Sequence, residues 1–485
     1  MNFFFLLNYK DARKAKDYII PFFINLPWCF GVFVINNSKM MKNCSLYFAA
    51  LLISFLAACQ NNDKLPTPPD EQSPKLKITD FTAPEQCAGC HPNHYNEWRS
   101  SMHAYAFVDP VFFAMHERGQ KETNGKLDQF CTKCHSPIAS LTGETPPFFN
   151  RVALSPISKH GVQCDVCHTI TKINKTVNAD FELTPGNTKY GSLANPAANS
   201  FHQSAFNAAF DRSEICGVCH EVKNDLGAPL EETFSEWSRA SLAGMSFDCQ
   251  DCHMSTYAGQ AATEGPQRDK VHRHYFTGVD VPLVDFPEAA LQRQMAEDLL
   301  KKSADLSVAH PETVAAGATF KLTVMVANKY NGVFSAGHNL PSGVTAERQM
   351  WIAVVARDQI GRAFYQSGQL DANGDLMDRH SALNPNADAN LTIFRQTMRD
   401  ESGKEVLFFW QAKTVENNLI PPLAERAANY AITLPPNISS EITLEVTLRF
   451  RALPPYFLRE LGLGDLAGKV PLVDMAQVTK QIKIY

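Results

Sequence analysis

Gly161-Val162-Gln163-Cys164-Asp165-Val166-Cys167-His168 sets two cysteines three apart and follows the second with a histidine. Two such cysteines share one side of a helical turn, and Cys-x-x-Cys-His is the pattern by which a c-type haem is attached. The arrangement recurs on both sides of this stretch, at Cys87-Ala-Gly-Cys90-His91, Cys131-Thr-Lys-Cys134-His135, Cys216-Gly-Val-Cys219-His220 and Cys249-Gln-Asp-Cys252-His253. Ten of the 13 cysteines are used in this way. Multiplying residue frequencies gives about 0.01 chance copies in such a chain. A zinc site or a redox disulfide needs pairs of pairs or a thioredoxin-like context, and neither demands the histidine. The expected cofactors are therefore five covalently bound haems c, with His91, His135, His168, His220 and His253 as proximal iron ligands.

The second axial ligand decides what each iron can do: two imidazoles make an electron carrier, and an open position admits substrate. Ten histidines lie outside the motifs, enough for five irons. The candidate distal ligands are His103, His274, His202, His338 and His272. His103 follows Glu97-Trp98-Arg99-Ser100-Ser101-Met102 on an expected helix. In an extended stretch His272 and His274 share a face, and of these two His274 is preferred. His202 lies in a loop before the fourth motif, and His338 lies in Gly337-His338-Asn339-Leu340-Pro341-Ser342-Gly343. His94 and His160 are reserves; His116, His310 and His380 are expected as ordinary surface residues. Met102, Met115, Met245 and Met254 are read as gap fillers beside large apolar groups. Trp98 and Trp237 recur in Glu-Trp contexts and are expected to pack on porphyrin.

Upstream of the motifs, Met41 to Cys59 has a basic start and an apolar run ending in small residues, a signal peptide by pattern. Leu56-Ala57-Ala58-Cys59 resembles a bacterial lipobox, so residues 41–58 are expected to be removed and Cys59 lipidated. Residues 1–40 are read as a start placed too early, the alternative being a membrane span over Asp17 to Asn36. Residues 59–76 are rich in Pro, Asp and Asn, as a flexible tether is. These features imply an exported protein held by lipid to the outer membrane, facing the periplasm or the cell surface. A net charge of −5 with no basic stripe argues against nucleic acid as a partner.

Residues 77–285 carry all five motifs and few long periodic segments, so the expected fold there is irregular, with short helices packed around haems. Leu291, Met295 and Leu299 after Pro287 predict an amphipathic helix over Glu288 to Lys302, inside a linker at 286–305. From 306 to 485 the period changes to two, as in Phe320 to Val326 and Ile442 to Phe450. With Met350 to Arg357, Val406 to Trp410 and Val478 to Ile484, that predicts an all-β domain of Ig-like sandwich type.

Cys87 to His91 with Trp98 and Ser101-Met102-His103-Ala104 resembles the start of multihaem cytochromes related to the tetrahaem cytochrome c five-five-four of nitrifiers. Gly161 to His168 and Cys249 to Met254 are similar to later parts of that group, over roughly residues 80–280. The resemblance implies close-packed haem pairs, mostly bis-histidine ligation, His103 as a distal ligand, and electron relay. A fifth motif and a β-domain depart from it, so the tetrahaem pairing does not transfer. The expected function is electron carriage rather than catalysis, between redox proteins such as a quinol-linked donor and a terminal reductase or extracellular acceptor. The alternative is a reductase or oxidase of a small nitrogen or sulfur compound at one open iron.

Overall fold

Prolines open many of the helices, where a missing N–H costs nothing because the first turn has no partner for it. Pro84–Ala88, Pro92–Ser100, Pro110–Glu122 and Pro137–Leu141 all begin this way. The computed structural model describes residues 76–485 apart from 241–246 and 332–334, and these lie in one compact unit. Residues 1–40, the expected signal peptide, Cys59, the expected tether up to residue 75 and Met245 lie outside the described residues. Among the described residues no helix is long and apolar enough to cross a membrane.

The first half consists of these short helices and small two-stranded ladders. Ile170–Lys175 pairs antiparallel with Asp180–Leu183, Thr188–Gly191 parallel with Gln203–Phe206, and Thr256–Gln260 antiparallel with Gln267–His272. Its own apolar clusters are small: Phe107, Phe112, Phe113 and Leu154 form one, and Phe81, Ile138 and Val166 another. Between them lies a cavity of about 2070 Å³ that all five motifs line.

The second half is built on period-two strands. One sheet runs in the order Thr313–Val314, Val473–Ile484, Glu441–Arg451, Gln349–Arg357, Ala363–Ser367, with Thr392–Phe394 also pairing Gln349–Arg357. A three-stranded sheet runs Glu425–Thr433, Thr319–Ala327, Asp305–Ala309. Alternate residues of both sheets, among them Leu322, Val324, Ile352, Val354, Tyr430, Leu444 and Val446, meet in one core. Each such side chain, fully buried, contributes about 1.5–3 kcal/mol.

Two expectations are corrected. Val406 to Trp410 is not a strand: it ends in the 3-10 turn Phe409–Gln411, which lays Phe408 under the Arg118 guanidinium and lets Trp410 Nε1 donate to Glu122 at 2.8 Å. Ala289–Leu300 is helical as expected, but it buries Gln292, Ala296 and Leu300, while Leu291 is 38% exposed. Gln292 goes inside because its amide donates to Ser100 Oγ at 3.2 Å, so the buried stripe is one residue round from the apolar one.

Candidate functional site

In each motif the histidine's Nδ1 is engaged. His91 Nδ1 lies 2.8 Å from the carbonyl oxygen of Ala261, His135 Nδ1 3.1 Å from that of Ala106, His168 Nδ1 2.6 Å from that of Tyr190, and His253 Nδ1 2.6 Å from that of Thr277. His220 Nδ1 lies 3.1 Å from Glu231 Oε1. With Nδ1 donating, the tautomer is fixed and Nε2 keeps its lone pair for a metal. Burial pushes His135, His168 and His253 below the ordinary histidine range, which keeps them neutral. Burial acts on His220 in the same direction, but Glu231 overrides it and raises the group to about 9, so a metal taken up at its Nε2 has a proton to displace.

Four of the five face a second imidazole. The ring centres of His91 and His202 are 6.3 Å apart, those of His103 and His220 6.2 Å, those of His168 and His274 6.3 Å, and those of His253 and His338 6.3 Å. Metal–nitrogen bonds of about 2.0 Å on both sides, plus about 1.1 Å from each nitrogen to its ring centre, put two trans imidazoles roughly 6.2 Å apart. The cavity and these spacings fit macrocycles held between paired imidazoles. Burial holds His103 down at about 3 and His338 at about 4, so both are neutral and able to ligate. His202, His274 and His338 also have Nδ1 against a nearby carbonyl oxygen, at 3.0, 3.0 and 2.9 Å.

His272 also has its Nδ1 against a carbonyl oxygen, that of Met254 at 3.0 Å, but among the described residues its ring faces no motif histidine. His94 lies 6.0 Å from His91, but three residues of chain reach about 11 Å at most, too little to pass round a macrocycle to its other face. For His135 the described ring neighbour is Phe112, stacked at 4.4 Å, and no imidazole is placed opposite it among the described residues. His116 and His380 are not the surface residues expected. His116 is 4% exposed and stacks on Phe112; His380 stacks on Tyr456 at 4.2 Å between Asp378 and Glu405.

The motifs also touch one another. The Cys87 thiol lies close enough to that of Cys164 to shift its acidity, as does Cys134 to Cys219 and Cys216 to Cys249. The attachment points are thus joined first to third, second to fourth and fourth to fifth. Cys167 lies close enough to Cys216 and Cys219 to act on both electrostatically, which joins the third to the fourth.

Three glutamates that sequence reasoning passed over position these histidines. Glu231 orients His220. Glu97 Oε2 accepts from the His274 backbone N–H at 2.8 Å, and Glu97 Oε1 from Arg273 at 2.6 Å. Glu236 accepts from Asn339 N, Asn339 Nδ2 and Ser342 Oγ at 3.1, 2.7 and 2.6 Å, clamping the loop that carries His338. For Glu97 and Glu236 the Glu-Trp repeat was the signal, because its tryptophans act alike too. Trp98 Nε1 donates to the carbonyl of Val162, two residues before the third motif, and Trp237 Nε1 to that of Phe247, two residues before the fifth. Both tryptophans line the cavity.

Burial raises Glu236 to about 7, against the pull of its Ser342 and Asn339 bonds. A carboxyl raised in the fold supplies stability below its free value that is lost as pH rises through the folded one. Wild type is therefore expected to lose up to about 3 kcal/mol relative to Glu236→Gln between pH 4.5 and 8. Melting midpoints of both proteins at pH 5 and pH 8 check this; parallel profiles would refute it.

A family profile described as Cytochrome c554 and c-prime matches residues 86–169, the stretch with the first three motifs. The fold is similar to that of a penta-heme cytochrome c552 from Thermochromatium tepidum, at 19% identity and a TM-score of 0.56, covering 83% of this chain and 99% of that one. A CARDB domain from Pyrococcus furiosus, at 8% identity and a TM-score of 0.16, covers 38% of this chain and 90% of its own length, too weak a likeness to argue from. No curated protein matches the chain. The motifs, the profile and the fold support a multihaem c-type cytochrome with covalently bound haem.

Proposed function

We propose that the chain holds five haems c and relays electrons along them, each haem supplying an iron that cycles between ferric and ferrous. Cys87/Cys90, Cys131/Cys134, Cys164/Cys167, Cys216/Cys219 and Cys249/Cys252 attach them, with the five motif histidines as proximal ligands. On this reading His202, His103, His274 and His338 are the distal ligands opposite His91, His220, His168 and His253. The observation that carries it is the set of four imidazole pairs at 6.2–6.3 Å: an iron with both axial sites filled carries electrons and binds no substrate. The contacts among motifs supply continuity, with the fourth haem as the junction of the third, second and fifth.

The β-sheets would form an Ig-like sandwich that docks on the haem region and completes the fifth site through His338. Attachment by a lipid at Cys59, a place at the outer membrane facing the periplasm or cell surface, and redox proteins as donor and acceptor belong to the same reading and rest on the sequence.

One observation favours a second reading, reduction or oxidation of a small nitrogen or sulfur compound at one open iron. His135 lacks an imidazole opposite it among the described residues, so its haem is the one where substrate would bind. Electron paramagnetic resonance of the oxidised protein, integrated against total iron, tests both. Relay predicts four low-spin irons unmoved by cyanide or nitrite, and no turnover of nitrite, hydroxylamine or tetrathionate at the fifth. Turnover with ligand-dependent change in one iron's signal would overturn relay in favour of catalysis.

A further inference from the structure

The turn before Gln349–Arg357 sends Glu347 and Arg348 into the wall of the cavity that the five motifs line. Among the described residues Glu347 Oε1 has no hydrogen-bond partner, and it is shut off from solvent. The cation next to it, Arg348, is committed elsewhere: its two terminal nitrogens grip the carboxylate of Asp280, the Nη2–Oδ2 distance being 2.8 Å, and it also reaches the carbonyl of Ala452. Every other charge that acts on Glu347 is acidic, namely Asp280 and Asp109. Asp109 itself caps Pro110–Glu122 by accepting from Val111 N at 2.9 Å, beside the Tyr105 hydroxyl. Glu231 adds a further acid acting on Arg348. An acid in this position has little that favours its ionised form, and each electron entering the cavity adds negative charge around it.

We propose that Glu347 is a proton-uptake site coupled to reduction of the haems in this cavity, an inference that rests on the multihaem reading above. One electron from an external reductant turns a ferric iron ferrous, and in the fraction of molecules whose Glu347 is ionised, which grows as pH rises toward 9, one proton from solvent converts the carboxylate to the acid; reoxidation releases both. The side chain's neighbourhood agrees, since burial pushes its carboxyl up to about 8 against the pull of Arg348. Reduction raises it further, so protons bind on reduction and the haems become harder to reduce as pH rises.

The test is spectroelectrochemical titration of the holoprotein from pH 6 to pH 9, alongside reduced-minus-oxidised infrared difference spectra in water and deuterium oxide. Over that range the reduction equilibrium constant of the affected haems is expected to fall roughly tenfold more in wild type than in Glu347→Gln. Wild type should also show a deuterium-sensitive carboxylic acid band on reduction that Glu347→Gln lacks. Equal pH dependence in the two proteins, or no such band in wild type, overturns the proposal. Should Glu347→Gln fail to take up haem, Glu347→Asp must keep the band at a shifted frequency, and its loss with haem content intact overturns the proposal too. A haem content below five would instead count against the multihaem reading, so the two failures are distinguishable.

Discussion

Export of the chain without haem attachment is expected to leave residues 76 to about 285 unfolded while the strands from Asp305 onward keep their structure. The reason is the cavity of about 2070 Å³. Without haem that space has no core to fill it, and the small apolar clusters around it bury too little to offset the conformational entropy of ordering the chain there. The β-sheets share no such debt, because Leu322, Ile352, Tyr430, Leu444 and their neighbours fill their own core. The two halves do share one cluster, in which Val111, Met115, Val281 and Leu283 meet Phe408, Phe457 and Leu458, so the isolated sheets should be somewhat less stable than in the holoprotein. Limited proteolysis with mass analysis of fragments checks this. A protease-resistant core beginning near residue 289 is expected. A resistant full-length apoprotein, or digestion of both halves alike, would sink the idea.

Replacing His338 by alanine is expected to convert one haem in five from six-coordinate low-spin to five-coordinate high-spin, with carbon monoxide binding at that iron once reduced. His338 faces His253 at 6.3 Å, and its loop is held by Glu236 and by Thr233, whose Oγ1 accepts from Gly343 N at 3.1 Å; among the described residues no other imidazole stacks on His253. His272→Ala serves as the contrast. Its ring answers to Met254, and its loss should leave every spin state as in wild type. Resonance and carbon monoxide difference spectra of both variants decide it, and a wild-type spectrum from His338→Ala would mean that the pairing is wrong.

The motifs were legible because covalent attachment needs a fixed local spacing, and local spacing is what a sequence displays. The strands Thr319–Ala327 and Glu441–Arg451 were legible for a related reason: one face is buried throughout, so the alternation is uninterrupted. Pairing across the cavity was not legible. His103 stands twelve positions after His91, yet it faces His220, while His91 faces His202; such partners are chosen by how short helices and loops pack round the macrocycles, and no local pattern records it. Leu291 misled because a stripe of apolar residues was read without asking what a polar neighbour could find inside, and Gln292 finds Ser100. His116 misled similarly, since a histidine between Phe112 and Phe149 is buried by residues that look unremarkable in sequence. Gly161, at φ +65°, shows the same limit at the backbone: a side chain there would meet the His103 carbonyl at 2.5 Å.

The imidazole opposite His253 comes from residue 338, beyond all five attachment motifs, on a loop that leads into the strand Gln349–Arg357. On the proposed ligation and export, synthesis running from the amino end lets the last haem be joined to its cysteines before its second histidine has emerged. A chain cut short after residue 285 would carry every covalent link and still be incomplete at one iron. Closure of that iron therefore reports that the rest of the polypeptide has arrived and folded, a completion signal written into the order of the chain.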